Sequence, residues 1–187
     1  GGDLTLAGGG SSFTVESGGD IVLGASRTFT INEGGFVNGE GTVANRNNMN
    51  FDDDSYVVYN DGGSVVNTNS TNGYGSLVLQ GTSQSPEIAN STIYVSEDFA
   101  VQDNNFDLAT GANTSGTLYM TDDTGNALYS NDTELIGTMA RTVSGTSGTL
   151  TYNNAYTTID FTNGGVGTNT EIAIDTRPDA DATYPGA

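Results

Sequence analysis

Cysteine, histidine, lysine and tryptophan are all absent from this 187-residue chain. Without cysteine there is no disulfide and no thiolate metal site, so stability must come from sheet hydrogen bonding and packing. Without histidine or cysteine there is no Ser-His-Asp triad, no cysteine nucleophile and no imidazole-bound zinc. The lack of lysine removes Schiff-base chemistry, a Walker-type phosphate lysine and a Lys–Asn isopeptide crosslink. General acid–base chemistry is left to carboxylates and tyrosine. Long hydrophobic runs are missing too: no stretch approaches the roughly 20 apolar residues that span a bilayer as a helix.

Positive charge is nearly absent. Four arginines (Arg27, Arg46, Arg141, Arg177) face 23 acidic residues, for a net charge of −19. Such a chain repels a phosphate backbone, which is held by Lys and Arg displacing counterions, and an anionic membrane surface. Neither nucleic acid nor membrane insertion is expected. Most carboxylates have no basic side chain to pair with, so they must be solvated, screened by salt, or bound to cations such as Ca²⁺. This balance suits a salty or calcium-rich exterior, and an extracellular or cell-surface location is expected. The chain begins Gly1-Gly2-Asp3, which reads as a processed form or a piece of something longer.

What is present is glycine, with 27 residues, together with Asn, Ser, Thr and short apolar runs. No window shows sustained i, i+3, i+4 apolar spacing, and Gly or Asn interrupts nearly every longer stretch. Short strands are expected instead at Leu4–Leu6, Phe13–Val15, Ile21–Leu23, Phe29–Ile31, Tyr56–Tyr59 and Leu77–Leu79. Further ones are expected at Thr92–Val95, Thr117–Met120, Thr149–Tyr152, Thr157–Phe161 and Glu171–Ile174. The fold class is all-β.

An internal repeat reads apolar, any residue, apolar, two polar residues, Gly-Gly. It occurs at Phe13–Gly19, Phe29–Gly35, Val57–Gly63 and Ile159–Gly165. Each unit combines a three-residue strand, presenting two inward side chains, with a glycine turn. Stacked strands with glycine corners are what a β-solenoid requires. The spacing in the first half predicts about two strands per sixteen-residue turn, with a run of antiparallel hairpins as the alternative. After Gln80 the texture changes, with hairpin signals at Asp122–Asn126 and Tyr152–Tyr156. We therefore expect a β-solenoid-like region over 1–85, an antiparallel β-sandwich-like region over 86–174, and an acidic, Pro-containing tail or linker over 175–187.

Three acidic clusters are candidates for structural calcium: Asp52, Asp53 and Asp54; Asp103, Asn105 and Asp107; and Asp175, Asp179 and Asp181. Ca²⁺ takes six to eight oxygen ligands, which such clusters can supply, but none follows the EF-hand loop. Solvated turn residues are the alternative reading for each. Four sequons, starting at Asn69, Asn90, Asn113 and Asn131, fit N-glycosylation, although chance supplies most of them in a chain this rich in Asn, Ser and Thr.

The Gly-Gly repeats of the first half resemble those of secreted bacterial β-helical surface proteins, such as filamentous adhesins and autotransporter passengers. The stretch from Gly137 to Asp175, with Arg141-Thr-Val-Ser-Gly145 and Asn154-Ala-Tyr-Thr-Thr-Ile-Asp-Phe-Thr-Asn163, resembles modules of large cell-surface proteins of Bacteroidetes-like bacteria. The resemblance implies an extracellular structural protein and carries over no catalytic residue. The expected function is self-assembly into a filament or surface layer by strand stacking, with other copies or neighbouring modules as partners. Two rivals differ in what they require. A glycan- or surface-binding adhesin module requires a groove of exposed tyrosines, with Tyr56, Tyr59 or Tyr74 as candidates. A polysaccharide-degrading β-helix enzyme requires converging buried acids. The chain is not expected to be an enzyme, since no site argues for one.

Overall fold

A computed structural model of the chain describes residues 2–16, 18–24, 26–39, 42–44, 49–60, 73–80, 92–103, 105–108, 116–121, 125–130, 132–161 and 166–176. Among these residues it is all β, with no helix, and its strands stack as in a β-solenoid. The chain first lays down β1 (Leu4–Leu6), β2 (Ser12–Val15) and β3 (Asp20–Val22), one on each of three faces. Next come β4 (Phe29–Ile31), β5 (Gly34–Gly39) and β6 (Thr42–Ala44). They pair in parallel with β1, β2 and β3 respectively. Then β7 (Met49–Phe51) pairs with β4, and β8 (Ser55–Asn60) with β5.

The stack continues through β9 (Ser76–Gln80), β10 (Thr92–Val95), β11 (Phe99–Val101), β12 (Phe106–Asp107), β13 (Thr117–Met120) and β14 (Ala127–Tyr129). The parallel sheet of β2, β5, β8, β9, β11 and β14 is the longest face. Its register places Phe13 opposite Phe36, Phe36 opposite Val57, and Val57 opposite Leu77, steps of 23, 21 and 20 residues. The sixteen-residue turn expected from the repeats is thus replaced by a longer, three-faced coil. The reason is geometric: Phe13 and Phe29 head similar motifs but lie on different faces, β2 and β4. Their rings meet edge to face across the interior, with centroids 5.4 Å apart. An apolar-x-apolar triplet fits any face, so its spacing counts faces and not turns.

Period-two alternation sends one row of each face inward. Phe36, Val57, Leu77 and Phe99 form such a row and are fully buried. One apolar core runs from Val15 to Phe161, each large side chain contributing about 1.5–3 kcal/mol by burial. On the outer side of the same sheet Val58, Val78 and Ala100 make a small separate row. The corner between β4 and β5 depends on Gly34, whose φ is +98°. A Cβ there would run into the Ser11 carbonyl of the neighbouring coil.

Strands from either side of the expected boundary pair in parallel, Leu77, Val78 and Leu79 of β9 lying opposite Phe99, Ala100 and Val101 of β11. The strands on either side of Asp122–Asn126 do not pair with each other: β13 pairs with β10 and β15, and β14 with β11. Antiparallel strand pairing is confined, among the described residues, to the final stretch. There β15 (Leu135–Val143) bends at Gly137, where φ is +120°. Its first two residues continue the β12 ladder and Thr138–Arg141 continue the β13 ladder. The closing elements are β16 (Thr149–Thr151), β17 (Thr158–Asp160) and β18 (Thr170–Thr176). β18 runs antiparallel along β15, making a mixed sheet, and β16 and β17 form the hairpin signalled by Tyr152–Tyr156. The expected sandwich is therefore seen only as this antiparallel layer.

Candidate functional site

The two ends of the stack differ. At the N-terminal end, among the described residues, β1, β2 and β3 are each paired on one side only, with β4, β5 and β6. The Leu4 amide donates to Thr28 O, Leu6 O accepts from Asn32, and Ser11 O accepts from Gly35. Strand alternation therefore turns the backbone groups of Thr5, Ser12 and Thr14 toward the open edge. The inward residues here lack a covering coil. Leu4 is 51% exposed although Phe29, stacked beneath it, is buried; Val22 on β3, 75% exposed, is an outward residue, since its neighbour Ile21 packs against the core. Leu6, Phe13 and Ile21 are only partly buried. Unpaired strand edges with exposed apolar residues are templates for strand addition.

At the C-terminal end the antiparallel layer covers the core, although among the described residues β14 and β18 are each paired on one side only and Leu128 on β14 is 57% exposed; a buried arginine ties that layer to the coil below it. Arg141 points inward from β15 and is fully buried. Its Nη1 donates to Thr151 O in the hairpin at 2.7 Å, and Nη2 donates to Gly125 O in the coil below. The guanidinium lies 5.9 Å from the centre of the Tyr152 ring, within cation–π range. Asn153 is also buried, and its Nδ2 donates to Leu135 O and Gly137 O. Burial raises the phenols of Tyr129 and Tyr152 above their usual value, and Arg141 only partly offsets this.

The acidic clusters sit at corners and edges. Asp52, Asp53 and Asp54 form an exposed turn between β7 and β8. In it Asp52 Oδ1 accepts from the Asp53 amide and Asp52 O from Ser55. A shallow depression of about 230 Å³, lined by Thr30, Asn50, Phe51 and Asp52, lies beside this turn. Asp103 is exposed with φ +75°. Asn105 spends its Oδ1 on the Glu134 amide of the next coil, at 3.0 Å. For Asp107 only the backbone is described. Asp175 accepts from Thr138 Oγ1, while Asp179 and Asp181 lie outside the described residues, as do the four sequon asparagines. Among the described residues no three acidic side chains gather as a metal-ligand group, and no carboxylate is buried.

The groove of exposed tyrosines that the adhesin reading requires is not formed by Tyr56, Tyr59 and Tyr74. Tyr59 and Tyr74 belong to the core, their hydroxyls 3.2 Å apart, and only Tyr56 is exposed. The outward pair is Tyr94 and Tyr119, in register on β10 and β13 with ring centroids 5.8 Å apart. The period-two pattern of Thr92–Val95 and Thr117–Met120 already put these tyrosines on one side. That the two strands are neighbours could not be read from spacing. Comparison with protein-family models, with curated proteins and with solved structures finds no match for this chain.

Proposed function

We propose that the chain is a structural module of an extracellular or cell-surface assembly, joined to a second copy or an adjoining module by strand addition at its open end. The observation that carries this reading is the triple edge of β1, β2 and β3 among the described residues, where Leu4 is exposed and Leu6, Phe13 and Ile21 are only partly buried. Parallel edges bury their apolar rows when another coil is laid on them. The net charge of −19 supports a salty exterior, where counterions screen repulsion between copies. Because the antiparallel layer covers the core at the other end of the described residues, the elementary contact between copies is open end on open end. A filament or surface layer then needs a second, lateral contact. The test is light scattering in 0.15 M and 1 M NaCl, comparing the native chain with Leu4→Lys/Val22→Lys. Concentration-dependent self-association lost in the double variant supports the reading. A native chain that stays monomeric at every concentration and salt level refutes the self-assembling form.

A further inference from the structure

A second surface lies on the outer side of the face built from β10, β13, β15 and β18, remote from the open edge of β1, β2 and β3. Ile93, Val95, Leu118 and Met120 point inward and are fully buried, so Tyr94 and Tyr119 stand outward, half-buried. The Tyr119 hydroxyl is fixed by Thr142 Oγ1 at 2.9 Å. The tyrosine column is short and bounded by small residues. Gly73 precedes it, so close that a Cβ would lie 2.8 Å from the Tyr94 Cβ. Ala140 and Ala173 follow it in register. The two rings are thus the large side chains of a strip running along the coil axis, in which Ala140 is buried and Ala173 exposed.

Hydroxyl rows flank the strip. On one side Thr92, Thr117 and Thr138 are in register, one per strand and therefore about 4.8 Å apart. On the other side, Thr121 Oγ1 and Ser96 Oγ donate to the carbonyls of Val95 and Tyr74 in preceding coils. Their oxygens keep acceptor capacity toward solvent. Of the charged groups near the strip, Glu171 and Asp175 on β18 are exposed acids, while Arg141 on β15 points into the core.

We propose that this strip binds an uncharged polysaccharide, its chain running along the coil axis with sugar rings over Tyr94 and Tyr119. A pyranose offers an apolar ring face for the aromatic rings and hydroxyls that both donate and accept toward the threonine rows. The chemistry selects against other polymers. Acidic groups at the margin and a net charge of −19 repel anionic glycans and nucleic acid. The inference does not rest on the open end and tests separately from it.

The experiment is affinity electrophoresis of the native chain in gels containing hydroxyethyl cellulose or galactomannan, with polygalacturonate as the anionic probe. Retardation by at least one neutral polymer and not by polygalacturonate is expected. Tyr94→Ala and Tyr119→Ala should each weaken it roughly tenfold, and Tyr119→Phe, which keeps the ring, should retain most of it. Tyr56→Ala removes an exposed ring from a different face and should change nothing. Melting curves on each variant separate lost binding from lost folding, and an Ala variant that has unfolded is replaced by Ala173→Arg, which blocks the strip from an exposed position. Retardation by neither neutral polymer, retardation by polygalacturonate alone, or equal loss in Tyr56→Ala would each overturn the proposal.

Discussion

Two glycines offer the sharpest test of the stacked coils, because they are required for different reasons. Gly75 precedes β9 at a coil corner, and its φ lies outside the left-handed region. A Cβ at this position would lie 2.6 Å from Ser55 O and 2.7 Å from the Asp53 carbonyl carbon, both backbone atoms of the coil below. Those atoms belong to the turn that leads into β8, closed by the Ser55 amide on Asp52 O, and as backbone they cannot swing aside as a side chain would. Gly148, between β15 and β16, is the converse: its φ is +80° and nothing lies within 4 Å of the added carbon. Gly75→Ala should cost about 3 kcal/mol, the upper part of the range for overpacking. Gly148→Ala should cost about 1 kcal/mol, for a left-handed residue with a side chain. Both variants lower the entropy of the unfolded chain alike, so that effect cancels in the comparison. For a chain of this length the melting temperature should fall by about 6–12 °C and about 2–4 °C respectively. Thermal denaturation followed by circular dichroism measures both. Equal losses would mean that no neighbouring carbonyl sits over Gly75, and the coil register described above would fail.

Three further outcomes follow from the covered end and the charge. Arg141→Ala removes two charge-assisted bonds to the carbonyls of Thr151 and Gly125; it should cost about 3 kcal/mol, and the β16–β17 hairpin should lose hydrogen-exchange protection before the parallel coils do. Tyr129 has a phenol raised far above 10 by burial, with a hydroxyl that has no hydrogen-bond partner among the described residues. A raised folded-state pKa gives stability that is intact below pH 10 and lost as pH climbs above it, about 1.4 kcal/mol per pH unit. Tyr129→Phe should therefore leave stability at pH 7 unchanged or higher and shift alkaline unfolding upward, and a variant that unfolds at the native pH would contradict the assigned burial. Raising NaCl from 0.1 to 1 M shortens the Debye length from about 10 to 3 Å and should raise the melting temperature by screening the acidic surface. CaCl₂ at matched ionic strength should do no more than NaCl if the turn of Asp52, Asp53 and Asp54 is merely solvated; an extra rise that disappears in Asp53→Asn would instead assign calcium to that turn.

Much of the strand content was legible in the sequence, for reasons that particular residues make plain. Leu4–Leu6, Phe29–Ile31, Thr92–Val95 and Thr117–Met120 fall where period-two alternation puts them, because alternation and burial are local properties of a pleated chain. The strand Leu135–Val143 was not legible. Gly137 interrupts it, and an inward arginine at position 141 breaks the apolar row, so neither half shows the expected pattern. The acidic clusters were visible as composition, but whether their side chains converge depends on which corners lie above one another. Tyr59 and Tyr74 look the same in sequence as Tyr94 and Tyr119, yet the first pair is core and the second is surface.

By itself the sequence determined the all-β character, the glycine corners, the charge, and the chemistry that the missing residues rule out. Each of these depends on one residue or a few neighbours. Tertiary structure alone decided that a coil takes 20 residues or more over three faces, that β9 pairs in parallel with β11, and that among the described residues the core is covered by the antiparallel layer at one end and left partly exposed at the other. The physical reason is that parallel strands pair with partners a whole coil away. An apolar triplet states that it must be buried without stating against which other triplet, and that choice is made only when all the coils are stacked together.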